Sequence, residues 1–104
     1  MIKATFYKHK GFIRGFVING HSGYDEEGKD VICASVSSAA YMTANTLTEI
    51  VGIDANIMVD EGYMRLVLDS KDEKAKVVLK GLELHISTLA QDYSDFILCE
   101  EIIL

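Results

Sequence analysis

Cys33 and His21 are the two side chains whose types and spacing point to nucleophilic chemistry. Both lie in residues 20–38, G-H-S-G-Y-D-E-E-G-K-D-V-I-C-A-S-V-S-S, where an alternating apolar pattern gives way to a small-residue pattern of helical period. Asp30 stands where a helix N-cap is expected, which makes Val31, Ile32 and Cys33 the first three helical residues and sets the sulfur beside backbone N–H groups without helical partners. The positive end of a helix favours an anion, so a thiol there is biased toward the nucleophilic thiolate. His21 lies twelve residues upstream. Gly20, Gly23 and Gly28 let the intervening loop fold back and bring imidazole to sulfur. Ser37, one helical turn after Cys33, is spaced to hydrogen-bond near the sulfur.

The same residues admit plainer roles. Cysteine is among the most buried residue types, so Cys33 also reads as a small packing hydrophobe, and His21 as a solvated loop residue. A metal site is not expected, because one Cys and one His without a C-x-x-C or H-x-x-x-H companion do not make the usual four zinc ligands. No cofactor is implied.

The chain has 104 residues, 49% hydrophobic and 25% charged, which fits one soluble globular domain spanning 1–104. Its two cysteines, sixty-six positions apart, do not have disulfide-scaffold spacing, and no signal-peptide pattern or membrane-spanning apolar run occurs. A reduced, cytoplasmic setting away from membranes is expected. A formal charge of −6 argues against direct nucleic-acid binding and for a basic partner.

The elements that must position the pair follow from periodicity. Residues 2–8 alternate as a half-buried strand, and a Gly-containing turn joins them to a second strand at 12–19. His9 falls at that turn and reads as solvated. Residues 31–51 form a helix with Ile32, Val36, Ala39, Ala40, Leu47 and Ile50 as its apolar stripe and Gly52 as its stop. Cys33, Ser37, Ala40, Tyr41 and Ala44 make an adjoining strip of mostly small residues, suited to close packing on a sheet. Strands at 56–60 and 63–69 meet at Glu61-Gly62. A second helix at 75–93, capped by Ser70 or Asp72, turns Ala75, Val78, Leu79, Leu82, Ile86, Leu89 and Tyr93 inward and Lys76, Lys80 and Glu83 outward, with His85 at the boundary. A last strand at 96–104 carries Cys99 as a packing thiol.

The order β-β-α-β-β-α-β predicts an α/β two-layer sandwich, a mixed five-stranded sheet with two helices on one face. Met58, Met64, Leu66, Leu68, Ile102, Ile103 and Leu104 amount to more hydrophobe than one core needs, so a homodimer is expected.

The run 20–37 resembles the signature of the bacterial ribosomal-processing cysteine proteases, and the flanking hairpin and long helix fall in matching places across essentially the whole chain. Its G-H-small-G start, G-x-D and C-A-small-V-S helix opening stand at the family's spacing. Ser22 occupies a position where many members are expected to carry alanine. The resemblance implies an endopeptidase that cuts a short N-terminal extension from large ribosomal subunit protein number twenty-seven, after a pair of aromatic residues. It makes Cys33 the nucleophile and His21 the general base and later acid, and it matches Asp30 and Ser37 as supporting positions. No separate third catalytic residue is identifiable. Asp30 either orients His21 or only caps the helix, and helix-start N–H groups are the expected oxyanion donors. Gly20 and Tyr24 are candidate substrate-binding residues, and the loop with Asp25, Glu26 and Glu27 is expected to be a mobile lid. Three other readings remain open: a redox-active thiol protein that would need a resolving partner for Cys33, a non-catalytic ribosome-associated binding module, and a purely structural dimer with a solvated loop.

Overall fold

The computed structural model describes residues 1–26 and 29–104. Two hairpins and two helical crossovers build the sheet. β1 (Ile2–His9) and β2 (Phe12–Asn19) pair antiparallel through a turn in which Lys10 and Gly11 both take positive φ, the geometry whose twist matches the strands it joins. β3 (Ala55–Asp60) and β4 (Tyr63–Leu68) form the second hairpin, and β5 (Ile97–Ile103) returns parallel to β1. The strand order is β3-β4-β2-β1-β5, a five-stranded mixed sheet with the expected succession of elements.

Two helices cover one face of the sheet: α1 (Val31–Asn45), which continues as a π-helical stretch over Thr46–Val51, and α2 (Glu73–Asp92). Ile2, Ala4 and Phe6 of β1, Phe16 and Ile18 of β2, and Met64, Leu66 and Leu68 of β4 meet Ile32, Val36, Leu47, Leu79 and Ile86 in one core. Met64, Leu66 and Leu68 are therefore core, not surplus. Of the residues expected to form an extra apolar face, Met58 and Ile102 stay exposed on the open side, beside Leu98.

The helix stripes differ from the sequence pattern at Ile50 in the first helix and at Lys76, Glu83 and Tyr93 in the second, where Tyr93 is the exposed C-cap residue instead of an inward one. Ile50 is 80% exposed while Leu47 is fully buried, because the π turn widens the helix. Gly52 N–H reaches back five residues to the Leu47 carbonyl at 3.0 Å. The hydroxyls of Thr43, Thr46 and Thr48 bond carbonyls one turn earlier, at 2.7–3.0 Å, contacts that loosen and bend a helix. In α2, Glu83 turns toward the sheet edge instead of away. Its carboxylate lies 2.9 Å from Lys8 of β1, which also meets Glu101 of β5, and these two hydrogen-bonded carboxylates raise the Lys8 pKa. Lys76 likewise lies over the Phe12 ring, 4.9 Å from its centre.

Candidate active site

Helix α1 begins as its capping residue dictates. Asp30 has extended backbone, and one carboxylate oxygen accepts from the N–H groups of Ile32 at 3.0 Å and Cys33 at 2.9 Å. The other oxygen accepts from the Ser22 hydroxyl, which in turn accepts from the Tyr24 N–H at 3.1 Å. Ser22 and Asp30 are 4% and 8% exposed, so this carboxylate has given up water for protein donors. Burial pushes its pKa up, but the Ser22 hydroxyl and the backbone N–H groups of Cys33 and Asp25 outweigh burial and hold it at about 2, below the ordinary 3.8. Asp30 is thus ionised near neutral pH. It locks the loop to the helix.

That lock sets the surroundings of the sulfur. Ser22, held through its side chain by Asp30, donates its own backbone N–H to Cys33 Sγ at 3.2 Å. Cys33 is a half-buried free thiol. On the other side, Gly20 takes φ +97 and donates its N–H to the Gly62 carbonyl at 2.8 Å, and any Cβ at Gly20 would press into the Met1 carbonyl oxygen. The loop carrying His21 is therefore pinned at one end to the β3–β4 turn and at the other to the helix start. The exposed His21 ring lies over Gly62, where a Cβ would sit 2.7 Å from Nε2. Only a residue without a side chain leaves that space, and Gly62 has φ +65 as well.

Cys33 and His21 open into one cleft of about 280 Å³. Ser37 and Tyr41 of α1 continue its wall, Gly20 and the Asp60–Tyr63 turn face them, and Ile2, Ile18 and Met64 line it from the sheet. A nucleophile, a proton carrier and a backbone donor aimed at the nucleophile are the parts that acyl transfer requires.

Of the residues singled out from sequence, Cys33, His21, Ser37 and Gly20 come together in this cleft. Asp30 lies beneath it as the helix cap and the anchor of Ser22. Because the Ile32 and Cys33 N–H groups are bound to Asp30, they are not free as the expected oxyanion donors. Tyr24 stands outside the cleft, edge-on to Phe96 with ring centres 5.3 Å apart. Asp25 and Glu26 are exposed, and Glu27 and Gly28 lie outside the described residues. His85 is exposed in a separate groove between α1 and α2. Cys99 lines another hollow with Lys8 and Glu83, its thiol pushed up first by burial and then by Glu83, so it does not share a cavity with Cys33. Among the described residues no group of three His, Cys, Asp or Glu side chains gathers to hold a metal ion, and no helix is long and apolar enough to cross a membrane.

The β3–β4 turn is the part of the site that sequence reasoning missed. Gly62 read only as a hairpin residue. What gives it a further role is the pairing of β2 with β4, with Asn19 opposite Tyr63, which delivers the end of β2 to that turn.

The sequence profile described as Cysteine protease Prp matches residues 1–98. The chain belongs to the Prp family of cysteine proteases. It resembles the Ribosomal processing cysteine protease Prp of Bacillus subtilis (strain 168), with 29% identity over 103 residues covering 91% of this chain and 92% of that one. Among solved structures, SMU.848 from Streptococcus mutans matches with a TM-score of 0.89 and 30% identity over 100% of this chain and 96% of that one. An essential ribosomal processing protease Prp from S. aureus, solved with a covalently linked product peptide, matches with a TM-score of 0.92 over 98% of this chain and 100% of that one. At 20% identity that likeness speaks for the fold. As a Prp-family member the chain is a peptide hydrolase of the cysteine class.

Proposed function

We propose that this protease removes a short N-terminal extension from large ribosomal subunit protein number twenty-seven during ribosome maturation, with Cys33 as nucleophile and His21 as base and then acid. The observation that carries the reading is that sulfur and imidazole share one cleft while the Ser22 N–H is directed at the sulfur. His21 takes the thiol proton, and the thiolate attacks the scissile carbonyl carbon, forming a C–S bond as the carbonyl electrons move to oxygen. His21 then gives its proton to the amine nitrogen as the C–N bond breaks. Water, deprotonated by His21, cleaves the thioester and returns the thiol. Negative charge passes from sulfur to oxygen in the first step, and the Ser22 N–H can follow it over that short distance. This makes Ser22 the oxyanion donor in place of the helix-start N–H groups that Asp30 already holds.

The net charge of −6 suits a basic ribosomal peptide, and ribosome maturation assigns the protein to the cytoplasm. The open sheet face is the surface we assign to a homodimer. Mixing the protein with a peptide spanning such an extension and reading the products by mass spectrometry tests the activity. One cut should appear, and none with Cys33→Ala, which is small and helix-compatible. Turnover by a pure Cys33→Ala preparation would end the reading.

A further inference from the structure

We infer that the outer edge of β3 is the docking edge for the substrate, a basic peptide that adds to the sheet as a further strand and so delivers its scissile bond to Cys33. This rests on the protease reading above. β3 ends the sheet, and none of the described residues pairs with its outer edge. Every residue from Asn56 to Asp60 is exposed. Free edges are normally blunted by charge, proline, a bulge or a covering element. β3 reads A-N-I-M-V-D, pairs with β4 without a register shift, and carries a charge only at its last residue. Its backbone donors and acceptors are left open to a partner strand.

The helix layer leaves room for such a strand. Ile57 and Val59 stand opposite Leu66 and Met64, which are buried beneath the helices, yet they remain 39% and 48% exposed themselves. They face the same side as Cys33 and present apolar contacts at the strand's alternate positions. β3 then runs into the site, because Asp60 and Glu61 line the cleft that holds Cys33. A chain lying along the edge is led there over roughly 20 Å, the span of a strand of this length. Charge selects the occupant. Residues 31–64 contain Glu49, Asp54, Asp60 and Glu61 and no Lys or Arg, so the peptide that fits is extended, apolar at alternate positions and rich in Lys or Arg.

Hydrogen exchange on Cys33→Ala, where no turnover consumes the ligand, reads the edge directly. A basic peptide carrying about six residues on each side of the scissile bond should slow exchange of the β3 amides, and one trimmed to the residues flanking that bond should not. In the wild-type protein, N-methylation of alternate residues in one arm of the long peptide should raise KM about tenfold with kcat kept, and methylation of the residues between should change little. Ile57→Lys should raise KM for the long peptide and leave kcat/KM for the trimmed one unchanged, with circular dichroism confirming the fold. Unaltered β3 exchange with the long peptide, or methylation effects without alternation, would overturn the inference. So would β3 protection that grows with protein concentration in the absence of peptide, which would give the edge to a second copy. Protection of β3 without any cut by the wild-type protein would keep the docking edge and sink the protease reading; a cut without protection would do the reverse.

Discussion

Cys33 was legible because helix capping is local. An Asp three residues before a thiol is enough to predict where the helix starts and which side chain sits at its first turn. Its second role, holding Ser22 so that a backbone N–H meets the sulfur, depends on a contact between two distant loop residues that no periodicity encodes. His21→Ala should lower kcat by about two to four orders of magnitude, the usual contribution of a positioned general base, while His9→Ala and His85→Ala stay near the wild-type rate. Gly62→Ala tests the wall behind the ring. A Cβ 2.7 Å from Nε2, on a residue with φ +65, must displace the imidazole, so kcat/KM should fall by at least roughly tenfold from mispositioning alone. An unchanged kcat/KM would mean that the ring works from elsewhere. Asp30 gives the pH dependence. Its folded value of about 2 lies below the ordinary 3.8, so its stabilisation is complete above about pH 4 and is lost as pH falls through about 2. Asp30→Asn keeps a capping oxygen and loses the charge. Urea unfolding should show a gap from wild type on the order of 2 kcal/mol near neutral pH that closes across this acid window, and a gap that persists there would refute the assignment.

Helix and strand existence came from pattern, and the failures came where geometry departs from the ideal period. A stripe of period 3.6 places Leu47 and Ile50 on one face. The π turn over Thr46–Val51 accommodates an extra residue per hydrogen-bonded loop, so Ile50 swings to solvent while Leu47 stays in the core. The hint lay in Thr43, Thr46 and Thr48, whose back-bonding hydroxyls compete for helix carbonyls, but threonine spacing alone does not specify a π turn. Leu47→Ala should cost about 2–5 kcal/mol in chemical denaturation and Ile50→Ala no more than about 0.5 kcal/mol. Equal losses at the two positions would restore the regular helix. Glu83 shows the same limit in α2. The period turned it outward, and the Lys8 side chain that draws it to the sheet belongs to a strand whose place in the strand order was not readable.

At the scale of the molecule, strand order turns separate motifs into a site, and it also decides which apolar residues are surplus. The order β3-β4-β2-β1-β5 places β4 inside the sheet, between β3 and β2, which moves Met64, Leu66 and Leu68 into the core and weakens the sequence argument for a large apolar open face. What remains there is a mixed surface. Met58, Leu98 and Ile102 are 53%, 45% and 42% exposed, and Lys3 and Glu100 pair 3.1 Å apart on the same face. Four of the five strands pair antiparallel, an arrangement that can keep one face in water, whereas a stable homodimer must bury about 800 Å² on each partner with an apolar centre. The pairing of Ile102 with Tyr7, one row beyond Glu100, supplies a candidate centre near β5. Sedimentation over a micromolar concentration series should therefore give twice the protomer mass of 11.5 kDa. Leu98→Lys combined with Ile102→Lys should return the monomer with unchanged circular dichroism, since both side chains already meet solvent in the protomer. A wild-type monomer across the series would leave this face as the solvated side of the sheet; a dimer indifferent to both lysines would move the interface to another surface, with the β3 edge the first to examine.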